Sequence, residues 1–365
     1  MSWDSLQPLG RLLAGSRLPS FDGIRMVAVA LVILSHAGYE DGPSDIGVNI
    51  FFVLSGFLIT WLLLKEREKT GAISLKTFYV RRAFRLLPAY YVFMVVALGQ
   101  YYGRHIPGGT RTDIVLPGLF YYTNYFNAVH DHPPTPLSHT WSLAIEEQFY
   151  LVWPLAFALL MRWGRRAVAG FLVPAIVVVV AWRSYLYVSL DVGTAYVYNA
   201  FETRFDTLAI GCLTAVLSQD ARFVAGAQAI SRRWYLPLIT LVVLFVQHAF
   251  RPDTFTYTVG FTLDGLLIAV AILQLLLLVD HPAWRWLEHP IPRYLGTISY
   301  PIYLYHGLCN AVAGRLVPDL RPLRFLLAFA CAALVGTLSF YLIEKPFLRL
   351  RDRLTRPAPK PPAQA

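Results

Sequence analysis

Phe21-Asp-Gly-Ile-Arg25-Met-Val-Ala-Val-Ala-Leu-Val-Ile-Leu-Ser35-His36-Ala37 sets an apolar run between an arginine and a histidine. Gly47-Val-Asn49-Ile-Phe-Phe-Val-Leu-Ser55-Gly56-Phe-Leu-Ile-Thr60 follows it closely. A hydrocarbon core about 30 Å thick is crossed by roughly 20 apolar residues of helix. These two stretches approach that length, and reading outward from them gives spans at 20–37, 47–64, 86–102, 141–161, 168–188, 204–218, 234–250, 260–279, 294–312 and 323–343. The expected fold is all-α: a polytopic membrane helix bundle of about ten transmembrane helices. It is expected to form one integral-membrane domain over 1–345, with a short basic, Pro-rich tail over 346–365 that is disordered after Arg356.

The composition agrees. The chain has 365 residues, 56% of them hydrophobic and 15% charged, with mean hydropathy +0.49. Soluble domains carry about 25% charged residues, so a soluble globule, a disordered chain and a disulfide scaffold are all excluded. Cys212, Cys309 and Cys331 sit in apolar runs with no paired spacing, implying neither a disulfide nor a metal site.

The net charge of +10 comes mostly from arginines clustered between the spans, a pattern that suits lipid headgroups rather than nucleic acid. With strict alternation and both termini inside, the basic residues divide about three to one in favour of the inner side. This predicts an N-in/C-in, multi-pass protein of the cell (inner) membrane. Ser35-His36-Ala37 also fits a signal-peptide cleavage site. Asp22 and Arg25, immediately before the apolar run, argue that the segment is retained.

An ionisable group inside a span costs at least ~2.5–3.5 kcal/mol at the bilayer centre, so such groups mark function. Arg25 and His36 are eleven residues apart, which on a helix puts them on one face and about 16 Å apart along the axis. Arg82 and Arg85 are adjacent on a helical face and suit a phosphate clamp, with Pro88 marking a helix junction or kink. Glu146 and Glu147 enter the fourth span from the opposite side at about the depth of His36. A carboxylate there can orient an imidazole as general base. The structural alternative is an ion pair from these acids to Arg183 or Arg204. Ser55 and Gly56 read chiefly as close-packing residues. Glu202, Arg204, Asp206, Asp264, Tyr300, Tyr303, Tyr305 and His306 together imply a polar cavity opening outward, and Glu344-Lys345-Pro346 reads as a cap on the last span.

In this order and spacing, the motifs resemble the membrane-bound acyltransferase-3 family, whose members O-acylate surface carbohydrates and natural products. The resemblance covers nearly the whole chain. It rests on Phe21-Asp-Gly-Ile-Arg25, the Arg25/His36 pair, Gly47 to Gly56, Arg82-x-x-Arg85, Trp141-Ser-Leu with Glu146-Glu147-Gln-Phe-Tyr150, and Ser299-Tyr-Pro-Ile-Tyr-Leu-Tyr-His306. It implies an acyl-CoA donor at the cytoplasmic side, an essential first-helix histidine and a carbohydrate or glycolipid acceptor on the outer side. Some members carry a soluble esterase-like domain after the bundle. This chain ends shortly after its last span, so chemistry in such a domain is not expected here.

The resulting expectation is an enzyme, an acyltransferase transferring groups other than aminoacyl groups. Arg25, Arg82 and Arg85 bind the phosphates of acyl-CoA, taken as acetyl-CoA, which is a donor substrate; no cofactor is tightly bound. His36 is the general base or an acylated intermediate, Glu146 or Glu147 orients it, and Asn49, Ser142, Tyr303 and His306 form the acceptor or oxyanion pocket. A proton-coupled polytopic transporter of a polar solute or glycan is the alternative, but neither an inverted repeat nor paired broken helices support it.

Overall fold

The computed structural model describes residues 9–39, 44–103 and 112–354. Every regular element among them is helical. Ten helices correspond to the expected spans: α1 (Phe21–His36), α2 (Ser44–Thr70), α3 (Leu75–Gly103), α4 (Trp141–Leu160), α5 (Arg165–Val188), α6 (Phe205–Leu217), α7 (Leu236–Phe250), α8 (Phe261–Leu277), α9 (Ser299–Leu316) and α10 (Arg321–Ser339). Among the described residues, length and apolarity alone qualify six segments to cross a membrane: Ser44–Thr70, Leu75–Tyr102, Ser138–Leu160, Arg165–Val188, Asp253–Leu277 and Arg321–Leu354. A seventh is added if α6 and the helix Ala221–Ala229, bent 108° from it, form one span. The expected ten thus meet a stricter six or seven. Length explains three of the four that fall short: at 1.5 Å per residue, a helix of about 16 residues reaches only about 24 Å, and α1 has 16 residues, α7 has 15 and α6 has 13; α9 has 18 but carries His306, Asn310 and Arg315 and falls short on apolarity.

Boundaries move in three places. The helix containing Arg82 and Arg85 runs unbroken through Pro88, so that proline is not a junction. The expected 294–312 span is divided, with Pro290–Thr297 ending just before α9. Glu344-Lys345-Pro346 caps nothing: a π-helical turn over Phe340–Glu344 carries α10 into Lys345–Leu354. The tail expected from 346 therefore begins as helix, and 355–365 lie outside the described residues.

The hub is α2. It packs against α1, α4, α6 and α8, and 78% of its most apolar window is buried, compared with 22% for α5. Helices in lipid gain little hydrophobic energy from one another, so small residues that let backbones meet determine which pairs form. Gly56 and Gly211 supply that contact between α2 and α6. A Cβ on Gly56 would lie 2.0 Å from the Leu208 carbonyl oxygen, and one on Gly211 would lie 2.1 Å from that of Val53.

The N-terminus of α1 is held by Glu288, whose carboxylate accepts from the Ser20 amide and the Arg17 guanidinium. Asp22 pairs with Arg25 at 3.2 Å one turn later. These contacts fix the end of the helix that carries Arg25.

Gly56→Val or Gly211→Val should force α2 and α6 apart and sharply reduce the yield of monodisperse protein in detergent chromatography. Gly170→Ala, in α5 with nothing within 4 Å of its Cβ position, should leave the elution profile unchanged.

Candidate active site

Two hollows lie at opposite ends of α1 and share Val48 and Tyr303 as a wall. The first spans about 630 Å³, open space included, and is lined by Arg25, Arg82, Arg85, Ser55, Glu146 and Tyr150, among others. The second, larger hollow encloses about 2010 Å³, open space included, and is lined by His36, Asp45, His132, His139, Tyr198 and His306, among others. They are called the arginine chamber and the histidine chamber.

In the arginine chamber, α1 supplies Arg25, and one face of α3 supplies Arg82 and Arg85. The Arg82 guanidinium lies 4.6 Å from the Tyr150 ring centroid, and Arg85 is exposed to the hollow. Among the described residues, no carboxylate lies within 4.0 Å of Arg82 or Arg85, whereas Arg25 keeps Asp22. Glu146 is the one acid in the lining. Ser55 Oγ donates to it at 3.1 Å, and the Tyr150 hydroxyl donates to it as well. Gly56 is thus the packing residue of the Ser55-Gly56 pair, while Ser55 belongs to the chamber.

In the histidine chamber, His36 ends α1 and is exposed to the cavity. Its Nδ1 lies 2.8 Å from the Val32 carbonyl oxygen. A carbonyl only accepts, so Nδ1 carries a proton, and Nε2 is the nitrogen left to face the cavity. The expected partnership of His36 with Glu146 or Glu147 is absent from this geometry. Glu146 is committed to Ser55 and Tyr150 on the far side of the shared wall. Glu147 lines neither chamber and lies within electrostatic reach of Arg82. The reason lies in helix geometry: a carbonyl four residues back on the same helix is always within reach of a C-terminal histidine, and it fixes the tautomer without a distant acid.

His306 packs edge-on against His36, with ring centroids 4.9 Å apart. It also packs against His139 at 4.8 Å. His306 Nδ1 donates to the Tyr303 carbonyl at 2.5 Å, leaving its buried Nε2 without a partner. His139 Nε2 donates to the Leu304 carbonyl at 3.1 Å. All three tautomers are set by backbone oxygens. On the shared wall, the Tyr303 hydroxyl donates to the His139 carbonyl at 2.9 Å and meets Ser142 Oγ at 2.6 Å. Tyr303 thus links Ser142, which lines the arginine chamber, to His306, which lines the histidine chamber.

Asn49, expected beside them, is elsewhere. It is fully buried, accepts from Arg204 at 2.9 Å and donates to Asp264 at 3.4 Å. Other polar groups expected to shape the cavity also serve the scaffold. Arg183 and Asp206 pair at 3.1 Å with both side chains fully buried. Asp264 holds Arg251 at 2.8 Å, and Glu202 accepts from Tyr125 and Tyr196, each at 2.7 Å. Arg204 sits among four aromatic rings, 3.8 Å from the Phe261 centroid. Neither Arg183 nor Arg204 reaches Glu146 or Glu147.

The sequence reading missed His132, Asp45 and Tyr198. Asp131 and His132 both adopt left-handed backbone conformations, with φ of 57° and 48°, a strain of order 1–3 kcal/mol each that structures retain around functional sites. His132 Nδ1 donates to Asn199 Oδ1 at 3.0 Å, and burial lowers its pKa while the Asn199 bond acts in the opposite sense. The available signal was the histidine-rich loop His130-Asp-His132 … His139. Tyr198 donates to Asp45 at 2.7 Å, a pairing across distant sequence that no local pattern reveals.

One chamber therefore offers guanidinium groups facing a hollow and the other imidazole rings held by backbone oxygens, with a hydroxyl pair between them. That suits transfer of a group from a polyanionic carrier to a nucleophile activated by a base. Comparison with known proteins agrees. A family model described as an acyltransferase domain, Acyl_transf_3, matches residues 18–343. The chain belongs to the acyltransferase-3 family. Its relatives include the peptidoglycan O-acetyltransferase OatA of Listeria monocytogenes, 32% identical over 359 residues, covering 90% of this chain and 55% of that protein. The putative peptidoglycan O-acetyltransferase YrhL of Bacillus subtilis is 31% identical, covering 90% and 54%. A putative O-acetyltransferase of Staphylococcus aureus N315 is 30% identical, covering 90% and 57%. The chain thus spans about half the length of these relatives. No solved structure matches it.

Asp206→Asn should strip Arg183 of its only carboxylate partner within 4.0 Å among the described residues. Breaking a buried pair costs about 3–5 kcal/mol, so the melting temperature in detergent should fall by several degrees. His36→Ala, which loses only a cavity-facing ring, should melt close to the wild type in the same assay.

Proposed function

We propose that this chain is a membrane O-acyltransferase that moves an acyl group, taken as acetyl, from acyl-CoA to a hydroxyl of a carbohydrate acceptor. The observation that carries this reading is the pairing, on one helix, of Arg25 in a guanidinium-lined chamber with His36 in a chamber of imidazoles. In this reading ten helices cross the inner membrane with both termini inside. The arginine chamber then faces the cytoplasm and the histidine chamber faces outward. The relatives named as peptidoglycan O-acetyltransferases support an amino-sugar polymer or its precursor as acceptor.

Arg82 and Arg85, without a carboxylate partner among the described residues, are suited to the phosphates of the donor. Charge-assisted bonds of that kind are each worth about 1.5–3 kcal/mol. The pantetheine arm then runs parallel to α1 toward the Val48–Tyr303 wall and brings the thioester within reach of the histidine chamber. His36 Nε2 removes the proton from the acceptor hydroxyl as its oxygen attacks the thioester carbonyl. The Val32 carbonyl stabilises the imidazolium through Nδ1–H. The Ser142 hydroxyl, turning from Tyr303, donates to the developing oxyanion. As the C–S bond breaks, the thiolate takes the proton from His36 Nε2, leaving the O-acyl sugar and free CoA thiol. Glu146 does not touch this step; it braces Tyr150 beneath Arg82 as a positioning residue.

In proteoliposomes given labelled acetyl-CoA and an N-acetylglucosamine oligomer, His36→Ala should abolish label on the sugar while the protein remains folded. Near-normal turnover by that variant would overturn the mechanism. Arg85→Ala should raise the donor KM about tenfold and leave the acceptor KM unchanged. An equal change in both would remove the assignment of the arginine chamber to the donor.

A further inference from the structure

A third hollow, about 990 Å³ including open space, lies between α3, α9 and α10. Its walls are almost wholly apolar, with Val96, Ala97, Leu308, Val312, Cys331 and Val335 among them and the Gln100 amide an exception. Val96 and Val312 are exposed on the outside of the bundle. The cleft is thus open sideways, at the level of the apolar helices, to whatever surrounds them. It is not separate from the site: Tyr101, Pro136, Leu308 and Ala311 line both the cleft and the histidine chamber.

We infer that this cleft holds the hydrocarbon chain of a lipid-borne acceptor whose sugar head lies in the histidine chamber. The inference rests on reading that chamber as the acceptor site; of the free carbohydrate and the glycolipid left open by the sequence, it selects the glycan on a long-chain lipid carrier and assigns the place of its chain. The occupant follows from the join. A polar chamber continuous with a lateral apolar cleft fits a molecule that is polar at one end and apolar at the other, entering from the bilayer. A water-soluble sugar has no use for the side opening.

A chain moving from bilayer to cleft exchanges one apolar surrounding for another, so little hydrophobic energy is gained. The benefit is confinement. A tethered head samples the chamber at a raised effective concentration and presents its hydroxyl to His36 in a restricted set of poses. The dependence should therefore appear in selectivity between acceptors more than in total affinity.

The test compares N-acetylglucosamine as its methyl glycoside with the same sugar on a long-chain isoprenoid alcohol, using the full chain in phospholipid nanodiscs. Wild-type protein is expected to prefer the lipid glycoside at least tenfold in kcat/KM, and Val312→Trp, which fills the cleft, to bring that ratio towards one. Equal use of both acceptors by wild type, or a ratio untouched by Val312→Trp, would overturn the inference. A second readout needs no turnover: the isoprenoid glycoside carrying a diazirine in its chain should photolabel peptides containing Val96, Val312 and Val335, and Val312→Trp should remove that label. Labelling suppressed by the surrounding phospholipid, or unchanged in the variant, counts against the cleft. Correct labelling without transfer to either sugar would instead count against the transferase reading and leave the lipid site standing.

Discussion

One short helix sets the distance between the two halves of the site. Because α1 runs without interruption from Phe21 to His36, Arg25 and His36 are held about 16 Å apart by backbone geometry alone. Both ends are pinned: Glu288 and Asp22 secure the first turn, and the Val32 carbonyl fixes the final ring. Each chamber is then completed by other helices that bring their groups to a prepared position. Elongated substrates that must meet at one point are served by a spacer that does not flex.

That spacer depends on a scaffold in which buried polar groups are mostly matched. Arg183 with Asp206, Arg251 with Asp264, and Arg204 with Asn49 and its aromatic cage hold α5, α6, α8 and α2 together. In a medium without water such groups lock helix register, because a slip would leave several of them unpaired at once. Arg82 and Arg85 differ from these: their guanidinium groups line an open hollow rather than a closed buried pair or aromatic cage.

Much of the fold was legible because apolar runs are local signals. The ten helices correspond to the ten apolar stretches, and the misplaced boundaries have local explanations: α3 tolerates Pro88, and α10 continues through Glu344 by widening into a π-turn. The count of qualifying spans was less legible, since α1, α6 and α7 are short and depend on their neighbours for placement. At the site, residues on one helix were well read. Arg25, Arg82, Arg85, His36, Ser142, Tyr303 and His306 all reach a chamber. Partnerships across helices were not. Nothing local distinguishes an Asn49 that serves Arg204 from one that faces a substrate, or shows that Glu146 answers to Ser55 and Tyr150 rather than to His36. His132 was missed because its position comes from two strained residues in a loop rather than from a periodic face.

The wall made by Val48 and Tyr303 has a consequence for the cell that carries the protein. Two water-accessible hollows approaching each other through a bilayer would, if merged, let protons and ions run down their electrochemical gradient. An aliphatic side chain and a hydroxyl already engaged with Ser142 and the His139 carbonyl break that route with an insulating septum. On the proposed transfer, an acyl-bearing thread would fill any gap it opened as it passed, and the membrane potential would be conserved.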